Sequence, residues 1–290
     1  MPSIHHTPTS AGIGLRLPHI EEAVATRPPV AWLEIHPENF IANPHATELL
    51  CHLARSFPIS VHTVGLSVGS ATGIDRHHLA RVRALIDRID PVLVSGHLAW
   101  STHGSEYLND LLPLPYDEET LRIVSTQLAE VQDQLGRPFL LENPSSYVGF
   151  AGSTMTEVQF LNELVDRAGC RLLCDVSNVY LSSHNMRYDA HAYLDGLPSN
   201  AIGELHLGGF TREEDESTPG ADVLIDTHAT RVADPAWELY AYAVQRFGLR
   251  PTLIEWDNEI PTLDTLVDEA RRADGIAESV RDLEVSGAAR

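Results

Sequence analysis

The sequence predicts an α/β protein, specifically a (β/α)8 TIM barrel, on three observations. Eight short apolar runs recur along the chain: 12–16, 31–36, 59–65, 92–98, 139–143, 171–178, 204–209 and 252–257. Stretches of helical period lie between most of them, the alternation expected of a parallel sheet. Each run also ends, or nearly ends, in a residue able to bind a metal or orient a substrate: Arg16, His36, His62, His97, Glu142, Asp175, His206 and Glu255. A buried strand gains nothing from an imidazole or carboxylate unless that group is paired or ligated. In a barrel, the carboxyl ends of the strands gather on one face and build the active site there.

The helical stretches carry their own signals. Residues 75–89 place Leu79, Val82, Leu85 and Ile86 on one face. Residues 117–135 open with Asp117 and two glutamates, which suit a helix N-terminus. Residues 156–168 start at Thr156, a cap, and stop at Gly169. Residues 235–247 and 261–273 both open with proline, which is at home in a first helical turn. Two segments, 98–116 and 208–225, read as long loops. The second holds the acidic run Glu213-Glu214-Asp215-Glu216, a solvated loop tip or, on a sharper reading, a lid over the site. No linker or repeat divides the chain, so residues 1–290 are expected to form one domain with an ordered core over about 12–273.

Composition narrows the chemistry. At 290 residues with 43% hydrophobic and 21% charged content, the chain is expected to bury a substantial core. Its formal net charge of −21 disfavours a nucleic acid backbone or an anionic membrane as partner. All 20 basic residues are arginine. Without lysine there is no Schiff base, no Walker-type phosphate lysine and no lysine general base. Cys51, Cys170 and Cys174 form no C-x-x-C pair and read as buried small apolar groups, with Cys174 facing the outer helices. No apolar run is long enough to span a bilayer and the first residues do not read as a signal peptide, so a cytoplasmic location is expected.

Among 15 histidines, position separates the informative from the incidental; His5, His6, His45, His77 and His78 read as surface or core residues. His62, His97 and His206 fall at or near strand ends with Glu142, Asp175 and Glu255. Three imidazoles and three carboxylates suit iron, zinc or manganese, not copper(I) or an iron–sulfur cluster. Without a metal they would be mutually repelling buried carboxylates. Asp175 and Asn178 are three apart; Asp226 and His228, Glu34 and His36, and Glu204 and His206 are two apart, so extended backbone would aim each of these pairs to one side. Such a set exceeds the needs of one metal, and Glu142 is the natural bridge between two. Gly65-Leu66-Ser67-Val68-Gly69 matches the G-x-S-x-G nucleophile elbow of hydrolases. The elbow needs a helix directly after it, whereas residues 69–73 read as loop, and it leaves the histidine and carboxylate array unexplained.

The segments GIGLRLPH, WLEIHPENF, VHTVGLSVGS, GHLAWS, DLLPLPY, LLENPSSY, DVSNVYLSSHN, ELHLGG, LIDTHATRVADPAWELY and PTLIEWDNEIP together resemble the multinuclear non-haem iron-dependent oxidases, the methanobactin-biosynthesis type, from about Gly12 to about Ala273. The resemblance implies a TIM barrel related to xylose isomerases. It implies two or three irons: one on His62, His97 and Glu142; a second sharing Glu142 and adding Asp175, His206 and Glu255; a third on Asn178, Asp226 and His228. It further implies dioxygen as co-substrate and oxidation of a residue, cysteine foremost, in a ribosomally made precursor peptide. A small leader-recognising protein is the implied partner. Oxidation would begin with removal of hydrogen from the side chain's β-carbon. Glu142, Asp175, His206 and Glu255 carry the implied catalytic centre, and Arg16, Glu34 and Asn143 are candidates for contacting substrate or supporting ligands. Arg16 reads equally as a structural ion pair. The chain departs from the family pattern at Phe210 and Met186, where the family often has histidine; nearby His184 reads as a loop residue.

Other readings share the ligand set. A metal-dependent endonuclease would need a basic face that a charge of −21 does not offer. A sugar isomerase would have to work without lysine. A metal-dependent scaffold has no positive feature in the sequence.

Overall fold

The computed structural model describes residues 8–104, 106–215 and 220–288. Its strands are β1 (Ala11–Gly14), β2 (Leu33–Ile35), β3 (Ile59–Thr63), β4 (Leu93–His97), β5 (Trp100–His103), β6 (Glu106–Leu112), β7 (Leu140–Glu142), β8 (Arg171–Asp175), β9 (Ile202–Gly208), β10 (Thr211–Glu214), β11 (Asp222–Ile225) and β12 (Thr252–Glu255). Eight of them close a barrel in the order β1-β12-β9-β8-β7-β4-β3-β2, with β2 pairing back to β1. All the barrel pairings are parallel. Each predicted apolar run supplies one of these strands, and the fold is the expected TIM barrel.

Alternation along the strands sorts the side chains. One set, including Ile13, Val61, Val94, Leu141, Leu205 and Ile254, packs with helix residues such as Val82, Leu128, Leu161 and Leu266 in the main core. The other set points into the lumen. Its floor is a separate apolar cluster of Leu93, Leu140 and Leu173. Two residues further along β4, β7 and β8 stand Ser95, Glu142 and Asp175, so the lumen changes from apolar to polar toward the strand carboxyl ends.

The helices begin where their caps predict. Asp75 accepts from the His77 and His78 amides ahead of helix Arg76–Ile89, and Asp117 accepts from Thr120 N ahead of helix Glu118–Leu135. Thr156 and Gln159 form a reciprocal capping box for helix Glu157–Ala168, which stops at left-handed Gly169. The last helix, expected to end near residue 273, runs from Leu263 to Ala288. Gly275 does not stop it, because buried Ala273 and Ala277 continue its apolar stripe and Asp274 accepts the Ala11 amide at 2.8 Å.

Several expectations are corrected. The run 171–178 is not strand throughout: β8 ends at Asp175 and helix Val176–Met186 begins directly after it. His184 lies in that helix, 3.1 Å from Asp222, and is not in a loop. Both long loops contain antiparallel hairpins, β5–β6 and β10–β11. Glu216 of the acidic run lies outside the described residues, as do His5 and His6. Cys170 and Cys174 are buried, whereas Cys51 is half-buried on an outer helix. No helix among the described residues is long and apolar enough to cross a membrane.

The G-x-S-x-G segment has a structural task. Ser67 sits in the left-handed region at φ 53°, and its Oγ accepts from the Ser101 and Thr102 amides at 2.8 and 3.1 Å. It anchors β5, and the next helix starts only at Arg76.

Candidate metal centre

Parallel register sets the polar lumen residues side by side. His62 is level with Ser95, His97 with Glu142, and Asp175 with His206. Asn143 locks two strand ends together: its amide nitrogen donates to Asp175 O at 3.0 Å, and its Oδ1 accepts from Asp175 N at 2.8 Å. That clamp holds Glu142 and Asp175 as neighbours and engages both polar atoms of the Asn143 side chain. Asp175 also caps helix Val176–Met186, with Oδ1 accepting from Asn178 N at 2.7 Å. The spacing of three between Asp175 and Asn178 is therefore a helix-cap spacing.

Four groups of side chains among the described residues have donor atoms close enough to hold a metal ion; one of them, Glu34, His62 and His206, lies deeper in the lumen, and two at the barrel mouth share a carboxylate. His62, His97 and Glu142 form one; Glu142, Asp175, His206 and Glu255 form the other; within each group the donor atoms lie within 4.8 Å of one another. Glu142 belongs to both. Its Oε2 is 3.2 Å from His62 Nε2 and 3.4 Å from His97 Nε2, and those two nitrogens are 3.1 Å apart. His62 turns its other nitrogen to Ser95 Oγ at 2.8 Å. His206 Nδ1 faces Glu255 Oε2 at 3.1 Å.

Asp226, His228 and Asn178 stand at the rim. The expectation that extended backbone aims Asp226 and His228 alike is corrected: β11 ends at Ile225 and His228 is left-handed at φ 44°. The two still meet, with Asp226 Oδ1 2.7 Å from His228 Nε2. Backbone bonds pin the strained residue, since His228 N donates to Gly209 O and its carbonyl accepts from Asp257 N and Asn258 N. Gly208 is what admits the ring, because a Cβ there would fall inside the His228 imidazole. Asn178 Nδ2 is 3.5 Å from Glu142 Oε1.

Charge lies close around these groups. The Arg16 guanidinium pairs with Asp257, lies 3.4 Å from Glu255 Oε1 and touches His36 Nε2 at 3.1 Å. His36, Glu255 and Asp257 form a further group of possible metal donors, but this guanidinium already stands among them. Glu34 and Glu204 are fully buried on the far side of His206, each with an oxygen 3.6 Å from its Nε2.

Electrostatics make the cluster costly without a cation. Burial, with help from His97, holds His62 well below the usual histidine range, and burial brings His97 down to about 4. Both imidazoles are thus neutral donors. Burial pushes the Glu142 carboxyl well up, aided by Glu255 and Asp175, and lifts Asp175 to about 6, aided by Asp226. Against the cost of burial, Glu34, Glu204 and Glu255 hold a proton on His206, and Asp226 and Glu255 hold one on His228. Protons occupy the places of cations, and a metal would displace them. The orphan atoms fit this: Glu142 Oε2, Asp175 Oδ2 and Asn178 Oδ1 are buried without a hydrogen-bond partner. These N and O donors, without thiolate, fit iron, manganese or zinc.

A cavity of about 190 Å³ reaches these atoms, lined by His97, Glu142, Asn178, Asp226, His228 and Glu255 with Val64, Leu111 and Pro144 among others. A more open depression of about 940 Å³ lies outside hairpin β5–β6, around His78 and Glu38. His78 Nε2 and Glu38 Oε1 are paired there at 3.0 Å, and the convergent donor groups lie in the smaller cavity. Leu111 of β6 lines the cavity, and further exposed apolar side chains stand near it in sequence (Leu108) and on the segment after β7 (Tyr147, Val148 and Phe150). Tyr147 Oη accepts from Asp226 N at 2.9 Å, tying that loop to the rim.

Every residue expected as a donor is brought to this end of the barrel. Glu34 and Asn143, expected near substrate, do not line the cavity; nor does Arg16, which is engaged with Asp257 and Glu255. Asp257 escaped sequence reasoning, as did the part played by His36 beside Arg16. The signal for Asp257 was present in Glu255-x-Asp257, the same spacing of two seen in Glu34-x-His36.

Comparisons with known proteins agree with this architecture. The chain is 45% identical to a UPF0276 protein of Vibrio vulnificus over 264 residues, covering 91% of this chain and 90% of that one. It is 45% identical to a UPF0276 protein of Chromobacterium violaceum over 274 residues, covering 94% and 97%. Among solved structures, an L-ribulose 3-epimerase superposes with a TM-score of 0.63 at 16% identity, covering 97% of this chain and 98% of that one. A xylose isomerase-like TIM barrel protein from Mycobacterium smegmatis, in complex with magnesium, gives 0.60 at 15% identity, covering 97% and 99%. At such identities the structural likeness speaks to the fold alone. Residues 10–278 match the family described as RiPP precursor modification enzyme MbnB/TglH/ChrH, and the chain belongs to that family.

Proposed function

We propose that this protein is a multinuclear non-haem iron oxidase that uses dioxygen to modify a residue, cysteine foremost, of a ribosomally synthesised precursor peptide, working with a small leader-binding partner protein. The observation that carries the reading is the pair of donor groups sharing Glu142 at the floor of a narrow cavity. His62, His97 and Glu142 would hold one iron; Glu142, Asp175, His206 and Glu255 a second; Asn178, Asp226 and His228 a third. Bound iron would activate dioxygen at an open coordination position, dioxygen taking up the electrons that the side chain loses.

The chain's own residues define what reaches that centre. A cavity of about 190 Å³ takes one side chain, not a folded domain. Exposed Leu111 at the cavity and Tyr147, tied to the rim through Asp226 N, give an extended peptide apolar surface beside the opening. Val64, Leu111 and Pro144 give part of the mouth an apolar lining. Arg16 holds Glu255 Oε1, which leaves Oε2 for the centre.

The test is co-expression with a short cysteine-containing precursor peptide and a candidate leader-binding protein, both sought among the genes neighbouring this one, followed by peptide mass spectrometry. A dioxygen-dependent mass change on one residue is expected, lost in Glu142→Gln. An unchanged peptide, with hydrolysis or sugar isomerisation by the metal-loaded protein, would overturn the reading.

A further inference from the structure

The two halves of the proposed centre are backed by unlike chemistry. On one side, His62 leans on Ser95 Oγ, a neutral group at 2.8 Å, and His97 Nδ1 has no hydrogen-bond partner. On the other side, His206 presents Nδ1 to Glu255, while its opposite nitrogen lies 3.6 Å from both Glu34 Oε2 and Glu204 Oε1. At that separation the contacts are ion pairs, not hydrogen bonds.

Glu34 and Glu204 are fully buried, face the lumen from β2 and β9, and do not line the cavity. Ser60 Oγ donates to Glu34 Oε2 at 2.9 Å. Glu34 Oε1 and both Glu204 oxygens have no hydrogen-bond partner. Two dry carboxylates with one hydroxyl and His206 for company, Glu34 also having an oxygen within 4.8 Å of a His62 nitrogen, are expensive to fold, and apolar residues would pack the same space at less cost. Their one shared neighbour is the back of His206. A carboxylate close behind a metal-bound histidine raises its basicity through its charge, and fixes its tautomer and orientation where the ring N–H closes onto it.

We propose that Glu34 and Glu204 are positioning residues that brace His206 and concentrate negative charge behind one half of the centre. The iron on Asp175, His206 and Glu255 then favours the higher oxidation state, and the iron on His62 and His97 the lower. A more basic imidazole and added negative charge both stabilise the ferric ion over the ferrous. The inference rests on the iron reading above.

The test uses the full chain loaded anaerobically with iron-57(II), as wild type, Glu204→Gln, Glu34→Gln and Ser95→Ala. Chelator competition reads the affinity of each iron, and Mössbauer spectra across a redox titration read its valence. In Glu204→Gln one iron is expected to bind about 10–100-fold more weakly. Its ferric fraction at a given poise falls, and the other iron keeps its wild-type spectrum. Glu34→Gln acts more on the same iron than on the other, because Glu34 also comes within 4.8 Å of His62, and Ser95→Ala acts on the other. Wild-type affinity and redox behaviour in both glutamine variants would overturn the proposal, as would equal loss of both irons, the mark of a merely structural role. A wild type that takes up no iron would instead sink the metal reading itself.

Discussion

Glu142→Gln separates folding from metal binding because its two effects have opposite signs. The change keeps the side chain's shape and removes its capacity to ionise at a site where Oε2 lies 3.2 Å from His62 Nε2 and 3.4 Å from His97 Nε2. In the metal-free protein, burial together with Glu255 and Asp175 already keeps a proton on this carboxyl. An amide there costs little, so metal-free stability should hold or rise. With metal, both donor groups lose their shared anionic ligand. Outer contacts alone change affinity by about 10–100-fold, so a shared ligand should cost at least about 100-fold, or about 2.7 kcal/mol. Stabilisation by bound metal falls by the same amount at a fixed metal concentration. At roughly 2–4 °C per kcal/mol, the metal-induced rise in Tm should shrink by roughly 5–11 °C. Thermal melts with and without iron(II), paired with elemental analysis, read both effects. Wild-type metal content and an undiminished rise in Tm would refute the bridging assignment.

Further outcomes follow from the same geometry. Asp175, lifted to about 6, and Glu142, lifted well above the usual range, hold protons that a metal must displace, whereas His97 near 4 does not compete. Metal affinity should therefore rise with pH through about 6, and proton release on binding, measured by calorimetry in two buffers, checks it. A raised folded-state value has the reverse effect on the metal-free fold. The Asp175 contribution to stability is present below the ordinary 3.8 and lost as pH rises through about 6, so metal-free wild type should lose stability over that window relative to Asp175→Asn. Gly208→Ala should displace His228 and lower metal content without changing the His62 and His97 pair; unchanged stoichiometry would argue against a metal at the rim. Ser67→Ala should cost about 1–3 kcal/mol by orphaning the Ser101 and Thr102 amides, and should speed their hydrogen exchange; abolished hydrolysis with unchanged exchange would restore the nucleophile reading.

The barrel was legible because its signal is repeated: strand after strand shows an apolar run closing on a polar residue. The donors His62, His97, Glu142, Asp175, His206 and Glu255 were legible for the same reason, since strand ends must converge. Where local chemistry overrode periodicity, the reading slipped. Asp175 looks mid-strand in RLLCDVSN, but its carboxylate caps the next helix and ends the strand there. Asp226 and His228 meet through a left-handed backbone that Gly208 makes room for, not through extended alternation. The hairpins were invisible because β6 is solvent-exposed along almost its whole length and lacks an alternating face. His36 and Asp257 matter through Arg16, a partner that only the closed barrel brings near.

The most direct test of the central claim is metal identity and stoichiometry on protein purified without added metal, with Mössbauer spectra on an iron-57 sample. Two or three irons per chain, including a coupled mixed-valence pair, are expected. Zinc or manganese alone, persisting after anaerobic iron loading, would contradict the oxidase and leave hydrolysis or isomerisation on the same barrel.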